Sequence, residues 1–218
     1  NVALDYVAHG LKDVVRSHGG DALATLATPV ATLEELYLLG KLTNGLGSSN
    51  VDFRSRQTDV SADSRRTGTP WLGMRLSDIK DLDAALVIGS FLRKDHPLIA
   101  QRLRQAAKKW TKVSLLSVTG DDQLIDLHQR ITVAPSELLV TLASIVKAAA
   151  DIKGCGAPTG LETIVPTEEA NRIASSLLEG EKRAVLLGNV AQQNSDAASL
   201  HALALYLGDI TGASVGFL

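Results

Sequence analysis

Apolar residues along this chain fall alternately at helical and at strand spacing, the pattern of an α/β protein. The first helix is predicted over Val2 to Ser17, with Leu4, Val7, Leu11, Val14 and Val15 on one inward face and Gly19-Gly20 as its stop. A β-like run from Ala22 to Leu26 precedes a second helix over Leu33 to Thr43. Thr32 and Glu35 have the spacing of a capping box there, and Gly45 and Gly47 end the helix. Residues 51–77 lose all periodicity, which inside a compact domain marks a functional or partly disordered stretch.

Order returns at Ala84 to Ile88, a continuous apolar run that suits a strand buried on both faces. A helix over Pro97 to Lys109 turns Ile99, Leu103, Ala106 and Ala107 inward and Arg102, Lys108 and Lys109 outward. Val113 to Val118 then reads as a parallel partner strand, closing a right-handed βαβ unit. A third short strand is predicted at Ile131 to Val133, and Pro135 opens a helix with Leu138, Leu142, Ile145 and Ala149 on one stripe. Residues 151–166, rich in Gly and Pro, read as a connection. A helix over Thr167 to Glu179, a strand at Ala184 to Leu187, a helix over Ser195 to Leu207 and a β-like Ala213 to Phe217 complete the pattern.

The chain has 218 residues, with 22 Lys and Arg against 24 Asp and Glu, a net charge of −2. A near-neutral surface argues against nucleic acid or an anionic membrane as partner. No apolar run approaches the roughly 20 residues of a bilayer span, so no direct membrane insertion is expected. The lone Cys155 excludes an internal disulfide and a four-thiolate iron-sulfur cluster held by these residues. Residue 1 is Asn and the sole Met is Met74, from which a piece cut from a longer protein is expected.

In open α/β sheets, ligands sit beyond the carboxyl ends of strands, where glycine turns let phosphates approach. Gly89-Ser90 after Ile88 and Gly188-Asn189 after Leu187 are two such turns, although neither is a GxGxxG or P-loop motif. Gly154-Cys155-Gly156 has no phosphate-binding spacing, and Cys155 reads as an ordinary thiol before a reactive one. The histidines at 9, 18, 96, 128 and 201 show no metal spacing, and His96 reads as a turn residue before a catalytic one. Ser136-Glu137 and Asp121-Asp122 read as helix starts and solvated turns before acid-base groups. Arg54, Arg56, Arg65 and Arg66 suit an anion, a partner or plain solvent.

The segment TLEELYLLGKLTNGLGSSNVDFRSRQTD, from Thr32 to Asp59, resembles the molybdopterin oxidoreductase family. So do LVIGSFLRKDHPLIAQRLRQAAKKWTKVSLLS, from Leu86 to Ser117, and the glycine turn, helix and closing Gly-rich stretch from Ala184 to Gly212. Within that family, DFRSRQTD followed by PWLG and GSFLRKDHPL is most similar to the G subunits of bacterial NADH-quinone oxidoreductases, the respiratory complex I. That resemblance implies a cofactor-free molybdopterin-type domain in a parent chain carrying 2Fe-2S and 4Fe-4S clusters. It also implies other peripheral-arm subunits as partners and a location on the cytoplasmic side of the bacterial inner membrane.

The departures from active relatives point the same way. Thr58 stands where those relatives place a Cys or selenocysteine metal ligand, and a threonine hydroxyl is a poor ligand for molybdenum or tungsten. Ser117-Val118 stands where the family has an Asp that reads the cofactor's guanine, and Pro135-Ser136-Glu137 replaces a Gly-Thr-Asp motif. A degenerate cleft is therefore expected near Thr58, Gly89, Ser90, Ser117, Gly188 and Asn189, with no catalytic, cofactor-binding or metal residues. By analogy with the family's lobes, residues 1–69 and 151–218 are expected to form one discontinuous α/β lobe and 70–150 an inserted Rossmann-like lobe. The arginines of the 54–66 loop are expected near the cleft, replacing the cofactor with salt bridges. Two other readings stay open: the catalytic domain of a true molybdopterin-dependent oxidoreductase such as a formate dehydrogenase, and a small nucleotide-binding protein of the same architecture.

Overall fold

A computed structural model describes all residues except 29, 55–57, 66 and 67. The chain divides into two units, residues 1–57 and 58–218.

The first unit contains α1 (Val2–His18), a 3-10 turn at Gly20–Ala22, β1 (Thr25–Leu26), α2 (Leu33–Gly45) and β2 (Val51–Asp52). β1 and β2 pair in parallel. The capping box is formed: Glu35 N donates to Thr32 Oγ1 at 3.2 Å, and Thr32 N donates to Glu35 Oε2 at 2.8 Å. The expected inward face of α1 is realised only in part. Leu11, Val14 and Val15 are half-buried, Leu4 and Val7 are exposed, and no residue of the helix is fully buried. A two-stranded sheet offers too little surface to bury a five-turn helix.

The second unit contains β3 (Ala84–Ile88), α3 (Leu92–Asp95), α4 (Pro97–Ala107), β4 (Lys112–Ser117), β5 (Gln129–Thr132) and α5 (Leu138–Lys153). These are followed by α6 (Glu168–Glu179), β6 (Arg183–Leu187), α7 (Asn189–Gln192), α8 (Ala197–Thr211) and β7 (Ser214–Phe217). All five strands are parallel, in the order β5-β4-β3-β6-β7. This is a doubly wound sheet, whose order reverses between β3 and β6.

The near-continuous apolar strands are explained by cover on both faces. Ala84, Leu86, Ile88, Leu116, Val185 and Leu187 face α5, α6 and α8. Ala85, Val87, Val113, Leu115, Ala184 and Leu186 face α4, Ile79 and Leu82. The β3-α4-β4 and β6-α8-β7 crossovers run in opposite directions along the sheet and lie on opposite faces, as a single handedness requires.

The expected division into an inserted lobe at 70–150 and a lobe of its flanks is corrected by this sheet. Ala84 to Ile88 pair on one side with β4 and on the other with Arg183 to Leu187, so both segments share one core. The boundary falls at 57/58. The 151–166 connection does not leave this unit: Tyr206 donates its hydroxyl to Gly156 O, Lys153 donates to Ile210 O, and Thr167 N donates to Ser144 Oγ at 3.3 Å.

Candidate functional site

Gly89, Ser90, Gly188 and Asn189 come together at the carboxyl ends of β3 and β6, where the sheet order reverses. Gly188 N donates to Ile88 O at 2.8 Å, and Val190 N donates to Gly89 O at 2.8 Å. Gly89 has φ +59°, and a Cβ there would stand 2.7 Å from Ala191 N. A Cβ on Gly188 would collide with the Ser90 side chain and the Gly89 carbonyl. Both glycines are thus required by the close approach of two protein turns, and the second amide of α7 is spent on a carbonyl.

Side chains tie the surrounding loops together. Gln123, buried, accepts from Arg93 N at 3.1 Å in the first turn of α3, and donates to Asp121 O at 3.1 Å. Asn189 Nδ2 donates to Asp95 Oδ2 at 3.2 Å, and Asn194 Nδ2 to Pro135 O at 2.9 Å. Ser117, the last residue of β4, donates its hydroxyl to Thr119 O at 2.9 Å and accepts from Thr119 N at 3.2 Å. It therefore makes its own turn. Ser90 Oγ is buried without a hydrogen-bond partner among the described residues.

Thr58 is half-buried at the start of the second unit. Its neighbour Asp59 accepts from Ala198 N at 2.9 Å in the first turn of α8. The arginines of the expected cluster are divided between the two units and the undescribed residues. Arg54 belongs to the first unit, where it pairs with Asp52 at 3.0 Å and, with backbone N–H groups, lowers that carboxyl to about 2. Arg65 belongs to the second unit, and Arg56 and Arg66 lie outside the described residues.

The remaining candidates have structural surroundings. Asp121 pairs with Lys94 at 3.2 Å, Asp122 accepts from Leu124 N at 2.8 Å, and Glu137 accepts from Ala134 N at 3.1 Å. These are turns and a helix start. His96 precedes α4 without a side-chain cap. Burial lowers its pKa against the opposing pull of Asp95. Cys155, a free thiol, follows the C-terminus of α5 and donates its backbone N–H to Ala150 O. Among the described residues no group of three or more His, Cys, Asp or Glu side chains could hold a metal, and no helix is long and apolar enough to cross a membrane.

A parallel, doubly wound α/β unit with paired glycine turns at its switch point defines the class: a nucleotide-type α/β architecture. The model of the molybdopterin oxidoreductase family matches residues 1–215, and the chain belongs to that family. It is 36% identical over 110 residues to a protein of Staphylococcus haemolyticus named among the formate dehydrogenases, and 34% identical over 110 residues to one of Staphylococcus aureus strain MRSA252. Each alignment covers 49% of this chain and 11% of the relative. A formyltransferase/hydrolase complex from Methylorubrum extorquens, solved with methylofuran, has the same fold at a TM-score of 0.62 and 16% identity, over 98% of this chain and 57% of that one.

The family's cofactor is a poor fit to the residues present. Thr58, which the resemblance puts at the metal-ligand position, would offer a hard hydroxyl where a soft metal needs a thiolate or selenolate. Ser117 is neutral and engaged with Thr119, and Gly89 O takes the amide that a phosphate would need. The Ser90 hydroxyl is buried there without a partner among the described residues, and a single hydroxyl cannot bind a metal-pterin by itself.

Proposed function

We propose that this chain is a structural, cofactor-free molybdopterin-type domain of the G subunit of an NADH-quinone oxidoreductase. Its parent complex would pass electrons from NADH through FMN and iron-sulfur clusters to quinone. In this reading the 2Fe-2S and 4Fe-4S clusters belong to other parts of the parent chain, and the partners are the other peripheral-arm subunits on the cytoplasmic side of the inner membrane. The observation that carries it is Ser117: the group at the end of β4 is a hydroxyl folded back onto Thr119, and the residue that the resemblance puts at the metal-ligand position, Thr58, is also a hydroxyl. The chain would then contribute shape and docking surface, with no catalytic step of its own.

A second reading, a catalytic piece of a true molybdopterin-dependent oxidoreductase, is favoured by one observation, the 36% identity to a formate dehydrogenase-named protein. One experiment separates the two. The chain and its parent are purified from a host that makes the molybdenum cofactor, assayed for Mo and W, and denatured in air to release fluorescent oxidised pterin. The structural reading expects neither metal nor pterin, together with co-purification of flavoprotein subunits by the parent. Stoichiometric metal and pterin would overturn it in favour of the catalytic reading.

A further inference from the structure

The stretch from Asp59 to Trp71 is anchored at both ends: Asp59 accepts from Ala198 N in α8, and Trp71 O accepts from Phe217 N in β7 at 2.9 Å. Between these anchors lies a cavity of about 750 Å3, whose lining includes none of Gly89, Ser90, Gly188 and Asn189. That volume is in the range of small-molecule sites. Ala202, Leu205 and Val215 supply apolar walls. His201 and Phe217 form a ring pair with centroids 4.9 Å apart, and Trp71 leaves 63% of its surface open. An indole and a ring pair lining one cavity favour a flat aromatic guest.

The charge of the lining narrows the class. Arg65 contributes a guanidinium, and no carboxylate lines the cavity among the described residues. Asp63, two residues before Arg65, and Asp59, which accepts from Ala198 N, are not among the lining residues. We infer that this cavity binds a planar aromatic anion, its ring against Trp71 and its charge toward Arg65. The inference stands apart from the proposed function, since it uses neither Thr58 nor the glycine turns.

The test is an NMR titration of the full chain with naphthalene-2-sulfonate, reading the indole N–H resonances. Trp110, 93% exposed and outside the cavity, is the internal control. The expected result is a saturable shift of the Trp71 resonance with Trp110 unmoved. Arg65→Ala should weaken binding about fivefold, as for an exposed ion pair, and 2-naphthol, neutral at pH 7, should bind the unaltered chain about fivefold more weakly. Ala202→Phe, on the exposed side of α8, should abolish binding by filling the cavity. No saturable shift, equal movement of both indoles, or equal affinity for sulfonate and naphthol would overturn the inference. So would unchanged binding in Ala202→Phe, and Arg65→Ala decides the matter independently if that variant folds poorly.

Discussion

Asp83 Oδ2 accepts from the backbone N–H groups of both Lys182 and Glu181, each at 2.8 Å, and so clips the amino end of β6 to that of β3. These two bonds hold the carboxyl below its ordinary pKa, Lys182 contributing most. A depressed pKa stabilises the fold fully above the ordinary carboxylate value, and the contribution is lost as pH falls through the folded value. Asp83→Asn should cost about 1 kcal/mol at pH 7, a figure kept small because the carboxylate is exposed. The gap between the two proteins should narrow as pH falls below the ordinary carboxylate value and through the lower folded one, since protonated Asp and Asn are alike. Urea unfolding at neutral pH and at falling pH below the carboxylate range checks this, and a gap that does not narrow would refute it.

The clip also shows where sequence reading stops. Ala84 to Ile88 was legible because a parallel strand covered on both faces must be apolar at every position. The bounds of α1 and the Thr32 capping box were legible because they depend on neighbours within four residues. The pairing of β3 with β6 joins residues 98 or 99 positions apart through Asp83, and no local pattern encodes that. The sheet order, the boundary at 57/58 and the roles of Gln123 and Trp71 escaped for the same reason. α3 escaped because four residues carry no helical period. Of the candidate site, the glycine turns were found from strand-end logic alone, but their contact with each other was not.

Gly188→Ala should destabilise the second unit by about 3 kcal/mol, because its Cβ meets the Ser90 Cβ and the Gly89 carbonyl, which is held by the N–H of Val190. Gly120→Ala meets nothing within 4 Å and has no unusual φ, so its change should stay within about 0.5 kcal/mol. Equilibrium unfolding of the pair gives the comparison; equal effects would mean that the two turns can separate freely.

Thr32→Ala removes the acceptor for Glu35 N and loosens the reciprocal bond from Thr32 N to Glu35. The loss should be about 1 kcal/mol and local to α2. Native-state hydrogen exchange is the suitable readout, because the first unit has its own elements and the sheet of the second should be unaffected. Faster exchange in β3 and β4 as well would show that the two units unfold together.

Gln123 joins α3 to the turn at Asp121 through its amide, accepting from Arg93 N and donating to Asp121 O, beside the exposed Lys94–Asp121 ion pair. Gln123→Met keeps the volume and removes both hydrogen bonds, which should cost about 1 kcal/mol. Gln123→Ala also opens a cavity at a site only 5% exposed, and should cost about 2 kcal/mol. The amide of Arg93 should exchange faster in both variants, while that of Leu86 in the central strand should follow global stability alone. If Arg93 stayed as protected in Gln123→Met as in the unaltered chain, the side chain would be filling space there and not capping α3.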